Sequence, residues 1–393
     1  MNDDSPPRAA LIGADGYGRW HRRVLAELAD AGEITAVGLC DPADIVPAPD
    51  APIPPGARLF RDYRRLLAET RPAVVVIATP PHTHVEIAAA AAEAGADLLL
   101  EKPPVTSYSE HVALAAVLAA TGSVAQVGFQ ALGSAALAEL TAALASGAYG
   151  RVTGVSAVGA WQRPDSYYRR APWAGRRRLA GRPVLDGALA NPFAHALMQC
   201  LAVAEQVGGG PPQITDLALE RYCARPIEVD DTAVLRAELD GGLPMVVAVT
   251  LCADQHLAGE VIVHTERGPA VLRYTEDRLQ LPGESTPRPV PGRTGLLANL
   301  LAHRSTGTPL LAPLARTEPF TVLISAITGA PPPQPLAPSA VAAQGEGDDR
   351  VVMVPGVSAV MQTAAEQLAL PSELGVGWAT TPTHCNISAY RQP

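Results

Sequence analysis

The chain has 393 residues, of which 48% are hydrophobic but only 4% aromatic, so small aliphatic side chains must fill a core large enough for two domains. Its formal net charge of −9 argues against a nucleic-acid-binding surface. The five cysteines are scattered without C-x-x-C spacing, which argues against a metal site or a disulfide framework and predicts a reducing, cytoplasmic compartment.

Neither a targeting segment nor a membrane span is expected. The first residues are acidic and contain proline, whereas a signal peptide begins basic and continues apolar. The long uncharged span 111–138 is divided by Thr121-Gly122-Ser123 and Gln126 into a helix, a turn and a strand. We therefore interpret this span as part of a buried core.

The chain begins with a predicted strand, a glycine-rich turn and a helix. Residues 9–12 are apolar, and this order is the setting of a dinucleotide fingerprint, whose glycines let the backbone approach a pyrophosphate at a helix N-terminus. The middle glycine of G-x-G-x-x-G falls on Asp15, which we expect to point away from the phosphates or to cap the helix. The predicted contacts in the turn are Gly13, Ala14, Asp15, Gly16, Tyr17 and Gly18.

A second predicted strand, 35–40, is followed by Asp41. An acid at this position can accept both ribose hydroxyls of an adenosine. Because Pro42-Ala43 follow without an arginine or lysine to hold a 2′-phosphate, the sequence favours NAD over NADP as the cofactor. Arg22 and Arg23, on the first helix, are expected to face solvent.

Two further strands complete a βαβ series. Residues 73–79 are β-branched and apolar, as suits a parallel strand that is covered on both faces, and 98–100 lead into Glu101-Lys102-Pro103. Lys102 thus follows the carboxyl end of a strand, where open α/β sheets bind their ligands. The plain alternative is a surface lysine ion-paired with Glu101. We favour a functional role for Lys102 at the ligand-binding edge of the sheet.

The domain boundary is predicted just after the strand at 124–129, which divides the chain into domains at 1–128 and 129–393. The first domain is expected to be α/β with a doubly wound parallel sheet, and the second to be α+β with a large, open, mostly antiparallel sheet. Since such a sheet commonly pairs with a second copy, we expect a homo-oligomer, either a dimer or a tetramer. Residues 331–350 predict an exposed Pro-rich loop and 357–370 a terminal helix. The predicted strands of the second domain are 151–161, 213–223, 231–239, 244–253, 259–266 and 269–274.

A second group of chemically active residues lies at 191–195. Asn191 is predicted to be a helix N-cap, with Pro192 at the first helical position, so that Asn191 and His195 share one helix face. Histidine titrates near working pH, which makes His195 the better general base of the two candidates, Lys102 being the other. The alternative is a histidine that is satisfied inside a helix–sheet interface.

The loop between the first strand of the second domain and this helix is rich in aromatic residues and arginines. Such side chains suit a polyhydroxylated or anionic substrate. A solvated basic loop or a subunit contact is an equally good interpretation. The candidate substrate-binding residues are Trp161, Arg163, Tyr168 and Trp173.

Together, the glycine turn, the A-T-P-P-H-T-H run at 78–84, the E-K-P run at 101–103 and the His195 helix resemble the Gfo/Idh/MocA oxidoreductase family. The resemblance covers roughly residues 8–330. It implies a Rossmann domain and hydride transfer between NAD and a secondary alcohol or ketone of a sugar, cyclitol or related polyol. It also implies catalysis by Lys102, His195 and Asn191, no metal, and further cofactor contacts at Thr79, Pro80, His84, Glu101, Lys102 and Gln130.

The chain departs from the family pattern at one place. The family usually has D-x-x-x-H with another Asp three residues on, whereas this sequence has Asn191 and Met198. An amide can orient His195 but cannot stabilise its imidazolium as a carboxylate would. The run Y-Y-R-x-x-x-W-A-G at 167–175 resembles a poorly characterised branch of the family.

Two alternatives remain open at this point. One is a redox-neutral epimerase that retains its dinucleotide and reverses the hydride transfer. The other is a non-catalytic dinucleotide-binding regulator, since the family includes repressor-like members. Asp15 and Asn191 favour the regulator, whereas Lys102 and His195 argue against it.

Overall fold

The computed structural model describes residues 5–184 and 186–391, which form two compact units. The first unit contains the described residues up to Val105, together with Ser109–Gly128 and Leu296–Ala315. The second contains Thr106–Tyr108, Phe129–Gly295 and the described residues from Arg316 onward. The segment 296–315, which the sequence analysis assigned to the C-terminal domain, therefore folds with the first unit.

Strands and helices are numbered here in chain order. The strands are β1 (Arg8–Ile12), β2 (Thr35–Cys40), β3 (Arg58–Phe60), β4 (Val74–Ile77), β5 (Asp97–Leu100), β6 (Ala125–Val127), β7 (Val152–Gln162), β8 (Arg178–Leu179), β9 (Arg182–Pro183), β10 (Ile214–Cys223), β11 (Thr232–Leu239), β12 (Leu243–Thr250), β13 (Cys252–Thr265), β14 (Gly268–Arg273), β15 (Arg278–Gln280), β16 (Arg288–Pro289), β17 (Gln334–Pro335), β18 (Ala342–Gln344), β19 (Val351–Met353) and β20 (Thr383–His384). The α-helices are α1 (Gly18–Asp30), α2 (Tyr63–Thr70), α3 (His84–Glu93), α4 (Tyr108–Thr121), α5 (Ala135–Ala145), α6 (Asp165–Arg169), α7 (Ala194–Gly208), α8 (Leu296–Thr306), α9 (Glu318–Gly329), α10 (Val357–Gln367) and α11 (Ile387–Tyr390).

The first unit is built on a six-stranded parallel sheet in the order β3-β2-β1-β4-β5-β6. Every residue of β4 is fully buried, as expected for a strand covered on both faces. The strand order reverses between β1 and β4, which is where sheets of this kind bind their ligands. The predicted doubly wound parallel sheet is confirmed, and all the strands end at the same edge.

Helix α8 and the residues after it join the first unit for an identifiable reason. Leu296 and Leu300 pack in the core cluster that contains Leu11. Nearby, the fully buried Gln126 of β6 donates from Nε2 to Asn299 Oδ1 at 2.5 Å, and its Oε1 accepts from the backbone of Ala312 at 2.8 Å. The two bonds of Gln126 join residues 173 and 186 positions apart, so local sequence patterns could not predict them.

Replacing Gln126 with leucine is expected to lower the free energy of unfolding by about 2 to 4 kcal/mol, because buried polar groups at Asn299 and Ala312 would lose their partner. Denaturant titration of wild type and Q126L measures this difference. The control is Gln206→Leu, since Gln206 is exposed and its loss should change stability by less than about 0.5 kcal/mol. Equal stability of the two variants would contradict the assigned role of Gln126.

The second unit is built on a ten-stranded sheet in the order β16-β15-β14-β13-β7-β12-β11-β10-β17 with β20 beside β10. The pairs β7–β12 and β10–β17 are parallel, and the others along this order are antiparallel. This confirms the predicted large, mostly antiparallel sheet.

Helices cover both faces of this sheet. On one face, Phe193 fills the space where a side chain at Gly159 of β7 would lie. On the other, Met361 of α10 packs in one buried cluster with Val158 of β7, because the apolar residues of α10 recur at helical spacing. The same chain therefore supplies packing partners for both faces of β7.

The C-terminal segment contributes more structure than the sequence suggested. Residues 331–350 are largely exposed, yet β17 pairs with β10, and β18 pairs with β19 in a hairpin. The terminal helix α10 ends at Gln367, three residues before its predicted end. Residues 331–350 therefore combine an exposed surface with strand pairings that tie them to the second unit.

Candidate dinucleotide-binding and catalytic site

The turn after β1 needs glycine at two positions. Gly13 has a φ of +85°, and a Cβ there would lie 2.7 Å from the backbone carbonyl carbon of Ala78, which follows β4. A Cβ at Gly18 would overlap the carbonyl oxygen of Gly13. At Gly16, by contrast, a Cβ would meet nothing within 4 Å, so this side of the turn is open. An open turn with a long helix beginning at Gly18 fits a bound pyrophosphate.

Asp15 and Asp41 are linked through the backbone of the turn. The backbone N–H of Asp15 donates to Asp41 Oδ2 at 3.1 Å, and Ala43 N–H donates to Oδ1 at 3.0 Å. Both carboxylate oxygens of Asp41 are thus held in place and keep lone pairs that can accept ribose hydroxyls. The side chain of Asp15 is exposed and does not cap α1, whose N-cap position is Tyr17. Of the two alternatives expected for Asp15, helix capping is therefore not observed.

Two arginines near this region differ from expectation. Arg22 is 1% exposed rather than on a solvent face, and its guanidinium donates to the carbonyls of Val46, Ala51 and Pro52 in the loop after β2. This burial lowers the pKa of Arg22. The exposed Arg61 donates to Pro42 O and pairs with Asp44, so an arginine does lie beside the loop that follows Asp41. Its charge is matched by a carboxylate, and Asp41 would still repel a 2′-phosphate.

Changing Asp41 to serine is expected to weaken NADH binding about tenfold or more, because charge-assisted hydrogen bonds to the ribose are lost. The preference for NADH over NADPH should fall with it, since the repulsive carboxylate is gone. Fluorescence titration with both cofactors measures these changes. Asp30→Ser, at the exposed end of α1, is the matched control, and an unchanged preference in D41S would refute the assignment of Asp41.

Glu101 and Lys102 follow β5 directly. The buried Glu101 places Oε1 2.9 Å from His21 Nε2 of α1, and its Oε2 accepts from the backbone N–H of Lys102 at 3.2 Å. Gly128, just after β6, lies against this carboxylate, since a Cβ there would be 2.6 Å from Oε2. Glu101 therefore has a hydrogen-bond partner in α1, His21, a residue that the sequence analysis did not select.

Lys102 has a property that the sequence analysis overlooked. It is half-buried, and it is the only lysine in the chain, since every other member of the 30 Lys and Arg residues is an arginine. Arginine is always charged and broad, whereas lysine offers a compact ammonium whose proton affinity responds to its surroundings. A single lysine retained at the carboxyl end of β5 is a strong signal for chemistry at that position.

The other candidates beside β4 have different environments. Pro80 is exposed and Thr79 half-buried, so both have accessible surface. His84 is fully buried, with Nε2 2.8 Å from Thr79 O and Nδ1 3.0 Å from Pro103 O. Burial lowers the pKa of His84. Its ring nitrogens hold the two loops together, so a direct cofactor contact, as the resemblance implied, does not fit its position.

In the second unit, His195 lies in the first turn of α7. Its ring meets that of Phe129 edge-on, with the centroids 5.9 Å apart, and Gln130 follows Phe129 in a short 3₁₀ turn. Asn191 lies in the turn before the helix, where its backbone N–H donates to Gly187 O. The helix begins at Ala194, so the prediction that Asn191 is its N-cap and shares a helix face with His195 was wrong.

Asp186 is a buried residue that the sequence analysis missed. Its Oδ1 accepts from Asn191 Nδ2 at 2.8 Å and from Arg170 Nη2 at 2.5 Å, and its Oδ2 accepts from Gly175 N–H at 2.7 Å. The carboxylate that the family pattern places at position 191 is thus present five residues earlier, bonded to the amide that replaced it. The signal in the sequence was an arginine-rich loop without an obvious counterion. Only the tertiary structure shows that Asp186 is the acid that pairs with it.

Asn191→Asp is expected to destabilise the protein by about 1 to 3 kcal/mol at pH 8, because a half-buried carboxylate at position 191 would face the buried carboxylate of Asp186. The folded variant would bind a proton that its unfolded chain does not, so the deficit should shrink as the pH falls toward 5. Thermal unfolding of both proteins at these pH values measures it. The control is N386D at the exposed N-cap of α11, where Asp caps as well as Asn. A pH-independent deficit would contradict a charged Asp186.

The aromatic and arginine-rich loop is largely paired within itself. Trp161 packs on Phe193 with ring centroids 4.2 Å apart, and Arg163 lies over Trp161 at 5.1 Å. Arg170 lies over Trp173 at 4.6 Å while it pairs with the buried Asp186. Trp161, Arg163 and Trp173 are therefore held in a connected layer that leads to the turn before His195.

Tyr168 differs from the other three substrate-binding candidates. Its ring lies under Arg225 at 5.0 Å, its hydroxyl is buried without a partner among the described residues, and this burial raises its pKa. Asp231, which is buried and lies 3.9 Å from Arg225, has a pKa raised to about 6 by desolvation. These features favour a structural role for Tyr168.

The described residues offer neither a clustered metal site nor a disulfide. Within residues 5–184 and 186–391, no cluster of three or more His, Cys, Asp or Glu side chains could hold a metal ion. All five cysteines are buried free thiols. No helix in the described part of the chain is long and apolar enough to cross a membrane.

A parallel sheet whose first strand ends in a glycine turn and whose second strand is followed by an acid defines a dinucleotide-binding Rossmann domain. The sequence matches an oxidoreductase family with an NAD-binding Rossmann fold over residues 8–129, and the GFO/IDH/MocA C-terminal domain over residues 137–271. The chain therefore belongs to the Gfo/Idh/MocA family, as the motifs predicted. The members of this family are described as oxidoreductases with an NAD-binding Rossmann fold.

Individual relatives agree with this assignment. A levoglucosan dehydrogenase of Pseudarthrobacter phenanthrenivorans is 32% identical over 138 residues, which are 35% of this chain and only 34% of that protein. The WlbA dehydrogenase of Bordetella pertussis, solved with NADH and UDP-GlcNAcA, is 22% identical with a TM-score of 0.66, covering 81% of this chain and 94% of its own. A levoglucosan dehydrogenase solved with NADH is 19% identical with a TM-score of 0.66, covering 82% and 96%. These structures show the shared fold.

Proposed function

We propose that this protein transfers hydride between NAD and a secondary alcohol or ketone of a sugar, cyclitol or related polyol. When bound, NAD⁺ accepts the hydride that leaves the carbinol carbon. The ammonium of Lys102 stabilises the developing alkoxide, and the imidazole of His195 takes the hydroxyl proton. In the reverse direction, His195 returns that proton to the oxygen.

The observation that carries the proposal is the single lysine. An alkoxide that forms and disappears in each turnover needs a compact positive group in a partly buried place, and Lys102 is the one ammonium side chain in the sequence. Its position directly after β5 is at the ligand-binding edge of the first sheet. A merely structural cation could have been an arginine, as at every other basic position.

Asn191 supports this proposal through Asp186. The amide of Asn191 donates to the buried carboxylate, so its orientation is set and its oxygen faces away from Asp186. We assign Asn191 the role of orienting His195 or a substrate hydroxyl. The family places a negative charge next to the histidine, whereas here the carboxylate belongs to Asp186 and acts through Asn191. Its electrostatic effect on the imidazole of His195 is then weaker but has the same sign.

The substrate class rests on the loop and on the relatives. Trp161 and Trp173 provide aromatic faces, and Arg163 donates to a backbone carbonyl while lying over Trp161. Arg170 is already matched by Asp186, so its charge is not available to a substrate. A mainly uncharged polyol fits this arrangement, as does the name of the levoglucosan dehydrogenase described above, whereas the UDP-GlcNAcA bound to the WlbA dehydrogenase is anionic.

A cytoplasmic location remains a prediction from the unpaired cysteines. A homo-oligomer, either a dimer or a tetramer, also remains a prediction, and it still rests on the large open sheet of the second unit.

The direct test is a cofactor-reduction screen of the purified protein with NAD⁺ against sugars, cyclitols and their acids at pH 7 and pH 9. We expect turnover with at least one polyol, and we expect K102R to reduce kcat at least about 100-fold while the NADH Kd changes less than about threefold. Arg23→Lys, an exposed exchange on α1, is the control and should be neutral.

Two outcomes would overturn the proposal. Tight NADH binding with no turnover on any substrate would favour a regulator. Isomerisation of a sugar without net cofactor reduction, detected by product analysis, would favour a redox-neutral epimerase.

A further inference from the structure

A buried histidine–glutamate pair includes Glu101, the residue that precedes the single lysine in the chain. His21 is 1% exposed and Glu101 is 7% exposed, and His21 Nε2 lies 2.9 Å from Glu101 Oε1. His21 belongs to α1, the helix that starts at the glycine turn, whereas Glu101 precedes Lys102. A buried ionisable pair of this kind is costly unless its hydrogen bonds are complete, so its presence requires an explanation.

The surroundings of His21 determine where its proton lies. The rings of Tyr17 and Trp20 meet it edge-on, at centroid distances of 5.6 and 4.8 Å. Its Nδ1 is buried and has no hydrogen-bond partner among the described residues. An imidazolium would bury an unpaired N–H at Nδ1, at a cost of about 1–3 kcal/mol. A neutral ring with its proton on Nε2 donates to Glu101 and leaves only a lone pair at Nδ1.

With a neutral His21, the pair keeps the full negative charge of Glu101. That carboxylate also accepts the backbone N–H of Lys102, and Gly128 lets it lie flat against the end of β6. A fixed negative charge in a water-poor place favours a positive charge on the neighbouring side chain more strongly than a solvated carboxylate would.

We propose that His21 and Glu101 form a positioning pair that fixes the backbone at Lys102 and keeps its side chain in the ammonium form needed to stabilise an alkoxide. Neither residue touches the substrate. This inference rests on the proposed function, in which Lys102 is the alkoxide-stabilising group, and it adds the two residues that prepare Lys102 for that role.

The single lysine makes this proposal measurable without a substrate. Reductive methylation of the full-length protein with ¹³C-formaldehyde labels the ε-amine of Lys102 and the α-amine of the chain, and the K102R spectrum identifies the lysine signal. The pH at the midpoint of its chemical-shift titration is then compared between variants. In Glu101→Gln we expect the midpoint to fall by about one pH unit, because the nearby negative charge is removed.

Substitutions at His21 test the hydrogen bond separately from the charge. Glutamine can place an N–H near the position of Nε2, so H21Q should keep the midpoint within about 0.3 pH unit of wild type. Leucine cannot donate a hydrogen bond to the Glu101 carboxylate, and a buried carboxylate without this bond is less stable in its charged form. H21L should therefore lower the Lys102 midpoint, as E101Q does. Arg23→Gln, two residues along α1 and exposed, is the matched control and should leave it unchanged.

Kinetics and binding distinguish a positioning role from a general loss of structure. We expect E101Q and H21L to lower kcat about tenfold or more while the NADH Kd stays within about threefold. A merely structural pair would lower the thermal stability or the NADH affinity without moving the lysine midpoint.

The inference and the proposed function fail in different experiments. A lysine midpoint in E101Q equal to that of wild type would overturn the inference, even where K102R has lost turnover. Full turnover by K102R would overturn the proposed function, and with it the inference. If E101Q does not fold, the comparison of H21Q with H21L decides, and equal midpoints in those two variants would overturn the pair.

Discussion

A buried carboxylate connects the segments that form the ligand-binding edge of the first unit. Glu101 bonds the imidazole of α1 and the backbone of Lys102, and it lies against Gly128 at the end of β6. An ionised group that has left water is stable only where its oxygens have partners, so these segments are held in one arrangement. The glycine turn and the lysine that follows β5 are thereby coupled through a single side chain.

The second unit also contains a buried carboxylate whose oxygens are held by hydrogen bonds. Asp186 is buried, and the amide of Asn191, the guanidinium of Arg170 and the backbone of Gly175 all donate to it. A position that is acidic in the family has become an amide here, but the negative charge remains in the same network. The hydrogen-bond donors and acceptors around Asp186 remain matched, because each unpaired buried group would cost about 1–3 kcal/mol.

In the large sheet, helices of the same chain cover the apolar residues on both faces of β7. Residues on one face of β7 pack against the start of α7, and those on the other face pack against α10. A sheet with an apolar face must bury it against another layer, whether that layer comes from the same chain or from a partner. Here the layer is the C-terminal helix, which follows the hairpin of β18 and β19.

The sequence by itself indicated five of the six parallel strands, all but β3, together with the glycine turn and the location of Asp41 and Lys102 at strand ends. These features depend on local periodicity and on the rule that ligands bind at the carboxyl ends of parallel strands. Only the tertiary structure revealed the burial of Arg22, the pairing of Glu101 with His21, the bond from Asn191 to Asp186 and the packing of α8 on the first sheet. Most of these contacts join residues far apart in the chain, and their partners are chosen by the need to satisfy buried polar groups and to fill a core, which no local pattern encodes.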